Sequence, residues 1–351
     1  MALHPINING REVGPGRPCF IIAEAGVNHN GSLETARRLI DVAVLAGADA
    51  VKFQTFKAER LATPDAPKAE YQLRTTGAAE SQFEMLQRLE LSHEAHRELM
   101  PYCAERGILF MSTPFDEESA DFLDELGVPV FKLPSGEITN LPFIAHVARK
   151  GKPMIVSTGM ANLSEVAAAV ECIRTAGNAA FMLLHCVSNY PADARDVNLR
   201  AIGTMQETFN VPVGYSDHTL GIEVSLAAVA LGACVIEKHF TLSRDLPGPD
   251  HLASLEPDGL KALVGGIRLV EASLGHGRKE PAASEAEVAA VARKSLVAAF
   301  DIAAGTELTA RMIAVRRPGT GLPATMLSQV IGRTLRVPAR AGALLELEMF
   351  S

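Results

Sequence analysis

Two histidines, His218 and His239, close the apolar runs VPVGYSDHT (Val211–Thr219) and CVIEKHFT (Cys234–Thr241). A lone histidine is usually a core or surface hydrogen bonder. Two imidazoles delivered to one cavity by neighbouring elements instead suit a divalent metal with positions left for water and substrate oxygens. Asp217 and Glu237 stand beside them as carboxylates for orienting the ring nitrogens. Lys52 and Lys132 interrupt otherwise apolar stretches (VKF, FKL), so both are expected to point inward rather than to solvent. With Thr113, Ser135, Ser157 and Ser216 they compose a site for a phosphate or a carboxylate. The glycines of PSGE, STGM and LPGPD let backbone N–H groups approach such an anion. Glu24 and Glu137 serve equally as a general base, as acceptors for a substrate hydroxyl, or as charge balance for the lysines in structural ion pairs. The polar stretch Asn28–Gly31 reads by itself as a turn and cap.

The elements that must position these groups follow a period. Eight short apolar runs each end in polar or ionisable residues and are followed by a helical pattern: Cys19–Gly26, Asp49–Thr55, Ile108–Phe115, Val130–Glu137, Pro153–Met160, Ala179–Cys186, Val211–Thr219 and Cys234–Thr241. Continuous apolar runs between breakers are strands buried on both faces. Eight of them alternating with helices predict an α/β fold, a (β/α)₈ TIM barrel, whose strand C-termini converge on one mouth. That mouth is expected to receive Glu24, Lys52, Gln54, Thr113, Lys132, Ser135, Glu137, Ser157, His185, Asp217, His218, Glu237, Lys238 and His239. Helix starts are marked by Ser32, Ser92, Asp116, Asn140 and Ser164, and stops by Gly47, Gly107, Gly127 and Gly275. The long segment Lys57–Gln82 after the second strand predicts a lid or substrate loop.

A barrel takes roughly 250 residues, and the chain has 351. The predicted organisation is a barrel over residues 1–276, a polar linker over 277–291 and a small β-rich module over 292–351, where short runs such as SLVAAFDI and IAVRRPG alternate with Gly and Pro. A net charge of −8 argues against bulk nucleic-acid binding. The start MALHPINING lacks the features of a secretory signal, and the longest apolar stretch is broken by Gly232, so neither export nor a membrane is expected. Five unpaired-looking cysteines fit a reducing cytoplasm and read as buried core positions.

The ordered set IIAEAGVNHNGS, DAVKFQTFKAERL, APKAEYQ, FMSTPFDEES, FKLPSGE, MIVSTGMA, LLHCVSNYP, DVNLRAI, GYSDHT, IEKHFT and PGPDHLASLEP resembles the sialic acid synthase family, whose members include N-acetylneuraminate, legionaminic acid and pseudaminic acid synthases. The last part, from ARKSLVA through VRRPGTGL, resembles that family's antifreeze-like SAF domain. The resemblance covers nearly the whole chain. It implies a metal-dependent condensation of phosphoenolpyruvate with an open-chain N-acetylated amino sugar, giving a nine-carbon 2-keto acid and phosphate released by C–O cleavage. Carried across by motif, His218 and His239 hold the metal, manganese first, with magnesium or cobalt as alternatives. Lys52, Thr113, Lys132, Ser135, Ser157, Ser188 and Ser216 hold phosphoenolpyruvate. Glu24, Gln54, Tyr190 and Asp250 face the sugar, and Glu137 is the base for the attacking water. Arg317 in VRRPGTG matches an arginine that reaches a partner's barrel, which implies a domain-swapped homodimer. One position departs: Ser188 stands where some members have Asn, and Asn189 follows it.

The segment Lys57–Gln82 resembles both the N-acetylneuraminate and the legionaminic acid synthases, so two sugars stay open: N-acetylmannosamine and a 2,4-diacetamido-trideoxyhexose. The alternative chemistry is a Schiff-base aldolase with Lys52 or Lys132 as nucleophile and no metal.

Overall fold

A computed structural model describes residues 4–77 and 79–351; the first three residues and Ala78, on which parts of the N-terminal and lid expectations fall, lie outside the described residues. The chain divides into two compact units, the first ending at Gly275 and the second spanning His276–Ser351.

The first unit opens with a hairpin, β1 (Ile6–Ile8) and β2 (Arg11–Val13). Eight strands follow: β3 (Phe20–Gly26), β4 (Ala50–Thr55), β5 (Leu109–Pro114), β6 (Phe131–Leu133), β7 (Met154–Ser157), β8 (Phe181–Cys186), β9 (Val213–Asp217) and β10 (Val235–His239). They form one parallel sheet in the order β5-β4-β3-β10-β9-β8-β7-β6. Each is hydrogen-bonded to its neighbours in that order, and β5 packs against β6 to bring the ends together. This is the expected eight-stranded barrel. Its helices are α1 (Leu33–Ala46), then α2 (Ala58–Leu61), α3 (Glu70–Thr76) and α4 (Gln82–Leu89) within the long β4 connection, α5 (His93–Arg106), α6 (Glu117–Leu126), α7 (Leu141–Ala148), α8 (Leu163–Thr175), α9 (Ala201–Phe209), α10 (Glu223–Ala230) and α11 (Pro257–Leu274).

Local chemistry explains the starts and stops. The side chains of Ser32, Ser92, Asp116 and Asn140 each accept a backbone N–H in the first turn of α1, α5, α6 and α7. For α8 the cap is Asn162, two residues ahead of the expected Ser164, because its amide oxygen accepts from both Ser164 and Glu165 while Glu165 returns to the cap nitrogen. Gly47, Gly107 and Gly127 close α1, α5 and α6 in the left-handed conformation.

Strand alternation sorts the side chains into two cores. One set, including Phe20, Ile22, Met111, Ile155, Met182 and Leu184, fills the barrel interior, and Ile6, Ile8 and Val13 of the hairpin join it. The other set, including Ile21, Val51, Phe110, Phe131, Leu183 and Tyr215, packs outward against the helix ring. Every position at the strand C-termini inherits one parity or the other, which decides what reaches the mouth.

The second unit carries α12 (Ala286–Ala292), the antiparallel pair β11 (Ser295–Ala298) and β12 (Ile313–Arg316), and α13 (Leu327–Val330). Leu296, Ile302, Leu308, Val330, Leu335 and Leu345 form its own small core. The polar segment after Gly275 turns helical at its end, in α12.

Candidate active site

A cavity of about 410 Å³ opens at the strand C-termini. The inward parity of β3, β4, β5, β6, β7, β9 and β10 supplies Glu24, Lys52, Gln54, Thr113, Lys132, Ser157, Ser216, Glu237 and His239 to its wall; the following loops add Ser135, Ser188, Tyr190, His218 and Asp250. At its floor two lysines face two carboxylates. Lys52 Nζ lies 2.8 Å from Glu24 Oε2 and 3.6 Å from Glu237 Oε2, and it donates to Thr113 Oγ1 at 2.7 Å. Lys132 Nζ lies 3.5 Å from Glu237 Oε1 and donates to Ser157 Oγ at 2.7 Å. Ser216 Oγ donates to Glu237 at 2.9 Å.

The two carboxylates titrate as a pair and in opposite directions. Burial pushes Glu24 up to about 7 against the pull of Lys52, and the neighbouring Glu237 charge adds to the rise. Glu237 is equally buried, yet Lys132 and Lys52 together hold it at about 2. Burial lowers the pKa of Lys132, whereas for Lys52 the Glu237 and Glu24 charges outweigh burial and raise it. The floor therefore sets a carboxylate that its lysine neighbours hold ionised, Glu237, beside one that burial pushes towards neutrality, Glu24.

Beside this floor the loop glycine Gly159 brings backbone close to two hydroxyls. Its N–H donates to Ser135 Oγ at 3.0 Å, and a Cβ at this position would fall 2.3 Å from Ser188 Oγ and 2.7 Å from Ser135 Oγ. Only glycine fits, and the result is a cluster of small donors at the cationic end of the cavity.

At the other side stand the imidazoles, with ring centroids 5.5 Å apart. His218 Nδ1–H donates to the Val187 carbonyl at 2.7 Å, which commits Nδ1 as a donor and makes Nε2 the nitrogen available to a ligand. His239 Nδ1 is buried without a hydrogen-bond partner, 4.0 Å from Asp250 Oδ2. Burial, with the charges of His218 and Lys52, drives the His239 pKa well below its usual value, so the ring is neutral. Burial raises Asp250 to about 6. Among the described residues no cluster of three or more His, Cys, Asp or Glu has a metal-holding arrangement. Two imidazoles, one with an orphaned buried nitrogen, fit a divalent cation completed by non-protein oxygens. Tyr190 packs its ring 4.1 Å from His218, and Tyr71 of α3 stacks on Tyr190 at 5.1 Å. Leu61, Met85, Leu86 and Leu89 of the α2–α4 segment add an apolar wall.

Several expectations fail by parity. His185, Asp217 and Lys238 do not reach the cavity: they sit on the outward face of β8, β9 and β10. His185 Nε2 donates to the Val197 carbonyl at 2.6 Å. Asp217 does not orient an imidazole; it bonds Lys238 at 2.8 Å, Ser225 at 2.6 Å and Thr219 at 2.8 Å. Glu137 is also absent from the cavity wall. The Ser135–Glu137 segment winds into a 3₁₀ turn, presenting Ser135 inward while the Glu137 carboxylate accepts from Asn140 at 2.6 Å. Arg317 belongs to the second unit, is exposed, and donates from Nε to the Ala292 carbonyl at 3.1 Å. The lining also includes residues that the sequence reading does not assign to the site, among them Cys186, Tyr71, Phe115 and Met160. Cys186 shares the parity of Leu184, an alternation visible in the run FMLLHC.

A barrel with ionisable residues concentrated at its strand C-termini belongs to the enzyme class in which loops build the chemistry on a fixed scaffold. Residues 39–279 match the NeuB family and residues 293–351 match the SAF domain. The N,N'-diacetyllegionaminic acid synthase of Legionella pneumophila is 49% identical, over 96% of this chain and 96% of that one. The human N-acetylneuraminate-9-phosphate synthase is 40% identical, over 93% of this chain and 91% of its own length. The crystal structure of an N-acetylneuraminic acid synthetase from Leptospira borgpetersenii, in complex with citrate, superposes with a TM-score of 0.72 at 38% identity, covering 81% of this chain and 94% of that one. The chain belongs to the NeuB family of sialic-acid-type synthases.

Proposed function

We propose that the barrel condenses phosphoenolpyruvate with an N-acetylated amino sugar to give a nine-carbon 2-keto acid and inorganic phosphate. The observation that carries this reading is one cavity with two chemically distinct ends. Paired lysines and small hydroxyls suit a small dianionic or trianionic substrate, and imidazoles, Tyr190 and Asp250 suit a neutral polyhydroxylated one. Relatives named as legionaminic acid and neuraminate synthases support it. For the sugar we favour a 2,4-diacetamido-trideoxyhexose over N-acetylmannosamine. The apolar wall of Leu61, Met85, Leu86 and Leu89 suits methyl groups better than hydroxyls, and a second N,N'-diacetyllegionaminic acid synthase, from Campylobacter jejuni, is 50% identical over 90% of the chain.

In this mechanism Lys52 and Lys132 neutralise the phosphate and carboxylate, and Thr113, Ser135, Ser157 and Ser188 fix their orientation, with the Gly159 N–H holding Ser135 Oγ in place. C3 of phosphoenolpyruvate bonds to the sugar's aldehyde carbon, water adds at C2, and the C2–O bond to phosphate breaks. The water gives up both protons, one to the aldehyde oxygen and the other, as the C2 hydroxyl becomes the ketone, to the departing phosphate. Glu24, with a pKa near 7, is the carboxyl placed to hold and pass a proton at the floor. Gln54 donates to Glu24 Oε1 at 3.4 Å and limits its rotation. His218 and His239 are the residues that would hold a divalent ion. When bound there, manganese, or magnesium or cobalt, supplies Lewis-acid polarisation of a substrate carbonyl.

The deciding experiment is a product assay with phosphoenolpyruvate against a panel of N-acetylated hexosamines, with and without manganese. A nine-carbon keto acid and stoichiometric phosphate are expected. Borohydride trapping of a lysine adduct in a chelator-indifferent enzyme overturns the reading in favour of the Schiff-base aldolase.

A further inference from the structure

The polar stretch after β3 does more than turn the chain. Asn28 and Asn30 reach across the neighbouring strand β10 into the loop that carries Asp250. Asn28 Nδ2 donates to the Phe240 carbonyl at 2.8 Å and to Ser254 Oγ at 2.9 Å, and Ser254 Oγ donates in turn to the Asp250 carbonyl at 2.7 Å. Asn30 starts a second line. Its Nδ2 contacts His251 Nε2 at 3.3 Å, His251 Nδ1 contacts Thr241 Oγ1 at 2.6 Å, and Thr241 Oγ1 donates to the Ser243 carbonyl at 3.0 Å. The donor direction is forced from its far end. Because Thr241 gives its proton to Ser243, it accepts from His251 Nδ1–H, so His251 Nε2 accepts from Asn30.

His251 and Thr241 are fully buried, and burial pushes His251 down to about 4, so the ring stays neutral as the relay requires. Gly248, with φ at +154°, lets the chain pass directly over this ring: a Cβ there would lie 2.6 Å from His251 Cδ2 and 3.0 Å from Asn30 Oδ1. Two separate hydrogen-bond lines thus end on either side of Asp250, through its own carbonyl and through the side chain of the next residue. Asp250 itself faces the cavity, 4.0 Å from His239 Nδ1.

We infer that Asn30, acting through His251, is a positioning residue for Asp250 and so for the amino-sugar half of the site. The inference rests on the proposed condensation. Asn30 has φ of +50°, where Gly is unstrained and Asp is tolerated, so Asn30→Gly removes the side chain without backbone cost and Asn30→Asp keeps its shape but loses the donor. Both variants are expected to raise KM for the amino sugar about tenfold, the size of one lost buried hydrogen bond, while KM for phosphoenolpyruvate stays at the wild-type value. The melting temperature is expected to fall by no more than about 3 °C. Thr241→Val, which cuts the same line two links away, is expected to give the same pattern. The decisive measurement is the double-mutant cycle: in an Asp250→Ala background, Asn30→Gly should add nothing further to KM. Additive effects, equal changes in both KM values, or a large stability loss in all three variants would overturn the inference. Failure of the wild type to form the keto acid would instead strike the proposed condensation.

Discussion

Two buried ion networks lie back to back across β9 and β10, one residue apart in sequence. On the outward face Asp217 and Lys238 pair at 2.8 Å, Ser225 and Thr219 donate to Asp217, and Lys238 donates also to the Thr219 carbonyl. On the inward face Glu24, Lys52, Lys132 and Glu237 share charge loosely, with contacts from 2.8 to 3.6 Å, and Glu24 Oε2, Glu237 Oε2 and His239 Nδ1 find no hydrogen-bond geometry within the protein. Burial is nearly complete in both. What separates them is satisfaction. A closed network stabilises the fold, and an open one holds bonding capacity in reserve for something that arrives.

The largest expected effect breaks the outward network. Asp217→Ala or Lys238→Met strands a buried charge, and urea denaturation should show a loss of about 3–5 kcal/mol for either. The double variant Asp217→Leu with Lys238→Met should lose less than either single change. If the single variants are as stable as wild type, the outward pair is not structural. Next in size, Glu24→Gln and His239→Ala should each lower kcat/KM on the order of 10²–10³-fold with unfolding midpoints close to wild type. A stability loss matching that of Lys238→Met would erase the distinction between the faces. Dialysis against chelator should silence the wild type, with activity returning on manganese addition.

A smaller effect concerns pH. His29 and His96 are buried with pKa values lowered to about 3 and about 4, chiefly by burial. Below the ordinary histidine pKa of about 6.5 the unfolded chain takes up these protons and the native fold does not, so stability falls as pH drops from 6.5 towards 4. By pH 5 each ring should cost about 2 kcal/mol, and His96→Gln should flatten the slope of unfolding free energy against pH. An unchanged slope would mean that other groups govern the acid limb. Smallest of all, Ser188→Ala removes one hydroxyl of the Gly159 cluster while Ser135 remains, and steady-state kinetics should show a rise of about two- to tenfold in KM for phosphoenolpyruvate alone.

The barrel was legible because its strands are apolar on both faces and its helices carry side-chain caps and glycine stops. Lys52 and Lys132 were legible for a related reason: an ammonium inside an apolar strand must have inward company. Parity was harder to read where two adjacent residues are both ionisable. In YSDH and IEKH the inward and outward candidates alternate, and only the register set by Tyr215 and Ile236 in the helix-facing core tells Ser216 and Glu237 from Asp217 and Lys238. Glu137 was lost to a 3₁₀ turn that nothing in PSGE announces. Asn28 and Asn30 looked like turn chemistry because their partners, Ser254 and His251, lie more than 220 residues away. The β1–β2 hairpin gave only three-residue strands, too short to stand out from a polar terminus.

That hairpin has a consequence for traffic. With Ile6, Ile8 and Val13 seated against the interior core and Met111, Ile155, Met182 and Leu184 filling the middle, the barrel is a vessel stoppered at one end. Whatever rests on the lysines and whatever docks beside Tyr190 and Tyr71 must enter and leave by the same mouth. A single doorway is then a property of the architecture: arrivals and departures share one route, and nothing can pass through the barrel from end to end.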